Sequence, residues 1–194
     1  MSGLRIAVLV SGGGTNLQSL IDATREGVLK STIVCVVSNK ESAYGLERAR
    51  KSGIPAFFIN PKEEGYDEKL LNLLKKQEVD LIVLAGYLKI VDAQLVEAYP
   101  DRIINIHPSL LPKFGGKGFY GIHVHEAVLE AGERYTGATV HIVDKEIDSG
   151  RILVQKRLEI DPEDTPETLQ KRVLEQIEHK ILVEAVLQLE EDGK

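Results

Sequence analysis

The chain has no tryptophan, one methionine and one cysteine among its 194 residues. A lone cysteine forbids a disulfide within the chain and removes the sulfur ligands of the common structural zinc sites. Cys35 lies in the run Thr32 to Val37. It reads there as a small core residue rather than a reactive thiol, and the pattern fits a reducing cytoplasm. No apolar run approaches the roughly 18 residues of a membrane span. The polar start Met1-Ser2-Gly3 gives no signal peptide. Positive charge is in deficit, with 24 Lys and Arg against 30 Asp and Glu, a net charge of −6. Non-specific nucleic-acid binding needs a basic face, so it is not expected. An anionic small molecule held by local groups stays possible. Internal repeats, low-complexity linkers and composition breaks are also absent, and one domain over residues 1–194 is expected.

What is present is alternation. Leu4 to Val10 is a nearly continuous apolar run, as expected of a strand buried on both faces of a parallel sheet. Thr32–Ser38, Ala56–Ile59, Asp80–Ala85 and Arg102–His107 read as further strands. Between them lie helical stripes at Leu17, Leu20, Ile21, Thr24 and Val28, at Leu46 and Ala49, at Tyr66, Leu70, Leu73 and Leu74, and at Ala93 and Val96. Helix returns around His125 to Ala131. Thr136–Val143 and Arg151–Ile160 are β-rich and separated only by an acidic turn, so they are expected to pair antiparallel. Thr165 as N-cap, Pro166 at the first helical position and a stripe at Leu169, Val173, Ile177, Ile181 and Ala185 predict a long terminal helix. The fold class is α/β, a mostly parallel twisted sheet with a C-terminal antiparallel part and helices on both faces.

Three stretches bear chemistry. Ser11-Gly12-Gly13-Gly14-Thr15-Asn16 joins a strand to a helix start, where free N–H groups and the helix dipole favour an anion. Leu17 stands where a dinucleotide loop needs its third glycine, and Ser38-Asn39-Lys40 lacks an acidic ribose partner. The Gly-Lys-Ser/Thr of a triphosphate loop is missing as well. A phosphate monoester fits best; a nicotinamide cofactor and a purely structural turn are the alternatives. In Ile104-Asn105-Ile106-His107-Pro108, alternation puts Asn105 and His107 on one face, and Pro108 ends the strand there. They are either a functional amide and imidazole or merely hydrogen-bonded residues at a strand tip. His107 is the histidine best placed for proton transfer.

The third stretch is the turn holding Asp144, Glu146 and Asp148, one of which could charge His107; spacing leaves open which one. Glu178 lies four residues from both Leu174 and Leu182, on the margin of the terminal stripe. It is either a solvated edge residue or a carboxylate reaching a ligand. His141 reads as a satisfied core histidine. His123 and His125 begin a zinc-protease-like pattern, but Leu129 breaks it, so no metal is expected.

The Ser11–Asn16 loop with Leu17-Gln18-Ser19-Leu20, Ser38-Asn39-Lys40, Gly45 to Ala49, Ala85-Gly86, Asn105 to Lys113, Asp148-Ser149-Gly150 and Glu178-His179 together resemble the phosphoribosylglycinamide formyltransferases. The motifs span nearly the whole chain in the family's order. Asn-x-His-Pro-Ser-Leu-Leu-Pro is common to formyltransferases that use 10-formyltetrahydrofolate, and the N-terminal glycine loop narrows the resemblance to this member. It implies a Rossmann-like formyltransferase fold, with a phosphate-binding half over 1–100 and a catalytic and folate-binding half over 101–194. It implies Asn105, His107 and Asp148 as catalytic residues. Gly14, Thr15, Asn16, Glu175, Gln176, Ile177 and Glu178 would bind glycinamide ribonucleotide. Leu88, Lys89, Ile90, Val91, Asn105, Asp144, Lys145, Glu146, Ile147 and Asp148 would line the folate pocket.

The implied co-substrate is 10-formyltetrahydrofolate, without a metal. The partners are small molecules, not nucleic acid or membrane, and the chain is a cytoplasmic monomer or homodimer. Two departures stand out. Glu63 occupies a position where some relatives carry a folate-contacting arginine, for which Lys62 could substitute, and the loop Phe114–Gly121 is longer than in short members. Rival siblings are a tRNA formyltransferase, expected to carry a C-terminal RNA-binding domain, and a formyltetrahydrofolate hydrolase, expected to carry an extra N-terminal domain. A non-catalytic nucleotide- or folate-binding module is the rival of another class.

Overall fold

A computed structural model describes residues 3–192; the polar start at Met1 and Ser2 lies outside the described residues. The chain runs β1 (Arg5–Val10), α1 (Thr15–Arg25), β2 (Thr32–Ser38), α2 (Tyr44–Lys51), β3 (Ala56–Phe58), α3 (Tyr66–Lys76), β4 (Leu81–Leu84), α4 (Ala93–Ala98), β5 (Ile103–His107) and α5 (Ile122–Glu130). It continues with β6 (Tyr135–Ile142), β7 (Ile152–Glu159), α6 (Pro166–Val173), a π-helical turn (Leu174–Glu178) and α7 (His179–Asp192). The strands form one sheet in the order β3-β2-β1-β4-β5-β6-β7. β1 pairs in parallel with β2 and β4, and β4 with β5, whereas β6 is antiparallel to both β5 and β7. The expected α/β architecture and its antiparallel C-terminal part are present.

Why both faces are covered is visible in β1. Ile6, Val8 and Val10 enter a core shared with α1, α2, α5, α6 and α7, whereas Ala7 and Leu9 enter a second core under α3 and α4. A strand buried on two sides has no polar face to alternate with, which is the continuous apolar run of its sequence. α1 is shorter than its stripe suggested. It stops at Arg25, so Val28 lies beyond it and is exposed.

The terminal helix carries the larger surprise. Thr165 caps it as expected, accepting from the Thr168 N–H, but one π-helical turn interrupts it at Leu174–Glu178. The extra residue in that turn rotates the helical face, and Glu178 is brought inward at 7% exposure rather than left on a solvated margin.

Candidate active site

The parallel strands end together at one edge, where the order reverses about β1 and connections leave β1 and β4 on opposite sides. Such a switch point opens a crevice at the C-terminal strand ends. Here the crevice is a cleft of about 740 Å³ reaching from the glycine loop to the acidic turn. The Ser11 N–H donates to Gly86 O at 3.1 Å, closing the loops after β1 and β4 on each other. The Ser11 hydroxyl donates to Asn39 Oδ1 and accepts from the Leu88 N–H, which joins three strand-end loops at one side chain.

At one end of the cleft, Gly12, Gly13, Gly14, Thr15 and Asn16 surround the start of α1. Gly14 is in the left-handed region with φ of 71°, as the residue before that helix. Asn16 Nδ2 donates to Glu178 Oε2 at 2.7 Å across the interior. The Asn16 Oδ1 is buried without a hydrogen-bond partner among the described residues. Burial pushes the Glu178 carboxyl up to about 7, with the Asn16 hydrogen bond opposing the shift. Glu178 lines the cleft with Leu174 and Gln170. The structure does not bring Glu175, Gln176 or Ile177 there. The first two are exposed and Ile177 packs into the core, because the π-helical turn aims only one of its carboxylates inward.

Asn105 and His107 line the middle of the cleft from β5, on one strand face as the alternation requires. His107 Nε2 lies 2.7 Å from the Phe114 carbonyl. A carbonyl only accepts, so Nε2 carries its hydrogen and Nδ1 is the position that gains or loses a proton. Nδ1 faces Asp148 Oδ2 at 3.6 Å. Burial lowers the proton affinity of His107, and the Asp148 charge and the Phe114 carbonyl oppose that shift. Burial acts upward on Asp148 too, but His141, His107 and the Gly116 N–H outweigh it and hold the carboxyl below its ordinary range.

The acidic turn delivers one carboxylate, Asp148, to this cluster. Asp144 is spent inside the turn, accepting from the Glu146 N–H and the Ser149 hydroxyl. Asp148 has φ of 55°, a left-handed conformation that Asp tolerates better than most residues.

His141 is buried and hydrogen-bonded, as read from sequence, but its place is in the cluster. It sits opposite Asn105 in the β5–β6 register. Its Nδ1 donates to the Ile142 carbonyl at 2.9 Å, and its Nε2 stands 3.1 Å from the Asn105 Nδ2. Asn105 keeps a second amide hydrogen for a ligand. The same His141 Nε2 lies 3.5 Å from Asp148 Oδ1. Sequence reasoning missed this residue because only the cross-strand register reveals it. His125 also lines the cleft; it is fully buried with neither ring nitrogen partnered among the described residues, and burial lowers it to about 4.

Beyond the cluster, Leu88, Lys89, Ile90 and Val91 face Asp144, Lys145, Glu146 and Ile147 across the cleft mouth. Leu88, Ile90 and Ile147 are exposed there, an apolar rim. Lys89 is fixed by Asp67 at 2.8 Å and by the Tyr66 ring at 4.5 Å, and Tyr66 shares a hydroxyl–hydroxyl bond with Tyr87. Neither Lys62 nor Glu63 lines the cleft, and Glu63 is paired with Lys69. Among the described residues no group of three His, Cys, Asp or Glu side chains could hold a metal ion. No helix among the described residues is long and apolar enough to cross a membrane.

A doubly wound sheet with a glycine loop at a helix start, a buried amide–imidazole–carboxylate cluster and an apolar-rimmed recess in one cleft defines a Rossmann-like α/β protein. The particular family follows from comparison: the formyl transferase sequence model matches residues 4–186, and the chain belongs to that family. It is 49% identical over 187 residues to the chloroplastic phosphoribosylglycinamide formyltransferase of Arabidopsis thaliana, covering 94% of this chain and 64% of the relative. It is 43% identical to the phosphoribosylglycinamide formyltransferase of Haemophilus influenzae, covering 89% of this chain and 81% of the relative. Glycinamide ribonucleotide transformylase 1 from Symbiobacterium toebii superimposes with a TM-score of 0.91 at 40% identity, over 98% of this chain and 89% of that one. The chain thus spans somewhat under two thirds of the plant relative's length.

Proposed function

We propose that this chain transfers the formyl group of 10-formyltetrahydrofolate to the amine of glycinamide ribonucleotide, giving formylglycinamide ribonucleotide and tetrahydrofolate in de novo purine synthesis. The observation that carries the reading is the continuity of the cleft: anion-accepting loop, proton-handling cluster and apolar-rimmed recess follow one another along it. Gly14, Thr15 and Asn16 hold the phosphate, and Glu178 meets the ribonucleotide beside them. Leu88 to Val91 and Asp144 to Asp148 enclose the folate. Residues 1–100 supply the phosphate-binding half and 101–194 the catalytic half, with Leu88–Val91 and Glu178 each serving across that division.

The amine nitrogen attacks the formyl carbon, and the carbonyl electron pair moves onto oxygen. The free Asn105 amide hydrogen and the Nδ1 hydrogen of protonated His107 stabilise that oxyanion. Donors of this kind are typically worth about 2.7–4 kcal/mol. On collapse the bond from carbon to folate N10 breaks. N10 gains one proton and the attacking amine loses one, with His107 as acid and Asp148 charging the imidazole and relaying the proton through water.

Every group named comes from one chain, so the reading holds for a monomer or a homodimer. Small molecules as sole partners and a cytoplasmic setting belong to the same reading, supported by the net charge of −6 and the buried lone Cys35. The test is formation of formylglycinamide ribonucleotide from purified protein and both substrates. Formate release that ignores the acceptor would favour hydrolysis instead.

A further inference from the structure

Helix α2 holds the glycine loop from behind. The Gly45 N–H donates to the Gly12 carbonyl at 3.0 Å, and Arg48 Nε donates to the Gly13 carbonyl at 2.7 Å. A trans peptide is planar, so its N–H points opposite to its C=O. Drawing these two carbonyls toward α2 therefore turns the N–H groups of Gly13 and Gly14 the other way. Neither N–H meets an acceptor among the described residues, and both glycines line the cleft. At the same end, buried Asn16 holds its unpartnered Oδ1.

Little else restrains these peptides. A Cβ built at Gly12 or Gly13 would meet nothing within 4 Å, so packing does not choose their orientation, and glycine backbones rotate freely. The contact with α2 is close only at Gly14, whose Cβ would stand 2.7 Å from the Gly45 Cα. Arg48 is itself fixed. Its Nη1 donates to Gln18 Oε1 on α1 at 3.2 Å, and the guanidinium carbon lies 5.1 Å from the Tyr44 ring centroid. A planar guanidinium serves the loop carbonyl and the α1 amide in two set directions, which an ammonium on a flexible stem does not.

We infer that Arg48 is a positioning residue for the phosphate: by capturing the Gly13 carbonyl, it holds the 13–14 peptide so that the Gly14 N–H faces the cleft. The identity of the phosphorylated substrate rests on the proposed function; the orientation of the loop does not. Without Arg48 that peptide turns over, presenting a carbonyl oxygen where the anion should bind.

The experiment compares wild type, Arg48→Met and Arg48→Lys by steady-state kinetics, by calorimetric binding of ribose 5-phosphate and by thermal melting. Both variants are expected to raise the KM for glycinamide ribonucleotide and weaken ribose 5-phosphate binding about tenfold, as loss of one hydrogen bond to a charged donor implies. The kcat at saturation and the KM for the folate donor should change by less than about twofold, because the reacting atoms lie elsewhere. Full affinity in Arg48→Lys with loss in Arg48→Met would mean that charge alone matters, and would overturn the inference. Unchanged affinity in both, or a fall in kcat tracking a fall in melting temperature, would overturn it too. If wild type binds ribose 5-phosphate but transfers no formyl group, the proposed function fails, while weaker binding in both variants still upholds the role of Arg48.

Discussion

Asp148 Oδ2 faces His107 Nδ1 at 3.6 Å, and the side chains on either side of that gap are almost completely buried. The other ring nitrogen is tied to the Phe114 carbonyl, so the carboxylate acts on the one position that exchanges a proton. Burial disfavours the imidazolium, and Asp148 is the charge that opposes this.

Replacing Asp148 with Asn should move the pH profile. The proposed mechanism needs protonated His107, so activity should fall as pH rises through its titration. Asp148→Asn leaves only the Phe114 carbonyl to oppose burial and lowers that titration further, and the falling limb shifts to lower pH. A kcat–pH profile of the variant checks this; a limb at the wild-type position would refute the coupling.

His141 should matter through Asn105. In His141→Phe the amide loses its 3.1 Å partner, and kcat should fall about tenfold, less than the roughly 100-fold or greater loss expected for Asn105→Ala. The double variant should fall well short of the product of the two losses, since both changes act on the Asn105 donor and only the His141 contact with Asp148 adds to the loss. Single-turnover rates for the three variants decide it, and additive losses would separate the two residues.

Glu178 predicts a pH-dependent stability. Its carboxyl is raised from 4.5 to about 7 in the folded chain, so the folded state binds the proton more tightly than the unfolded one. That contribution is fully present below 4.5 and is lost as pH climbs toward 7. Glu178→Gln removes the buried charge and should gain up to about 3 kcal/mol of stability relative to wild type above neutrality. The gain should vanish at acid pH. Urea melts at several pH values measure this, while the ribonucleotide KM of the same variant should rise.

The acidic turn has little room at its base. A Cβ at position 150 would lie 1.9 Å from the Ile142 carbonyl oxygen, a backbone atom that cannot swing aside. Gly150→Ala should therefore displace the turn that carries Asp148, cost about 1–3 kcal/mol and depress kcat along with the melting temperature.

Much of this was legible in the order of residues. The run Leu4–Val10, the glycine loop, the strand tip at Asn105 and His107 and the cap at Thr165 each follow from periodicity or turn chemistry within about ten residues. Such patterns report which face is buried and where an element stops, so they determined the α/β class, the antiparallel end and two members of the buried cluster in the cleft. The sequence resemblance singled out Asp148. Physical reading of the sequence left it level with Asp144 and Glu146.

Tertiary structure alone decided the rest. His141 joined the cluster through the β5–β6 register, which pairs it with Asn105 across 36 residues. Glu178 turned inward, and Glu175 and Gln176 outward, because one π-helical turn changes the helical phase, and no 3.6-residue pattern encodes an inserted residue. Arg48 reached the glycine loop only because α2 packs behind it. Local sequence carries the period of an element; register, phase and the contact between distant elements are settled by the packing of the whole chain.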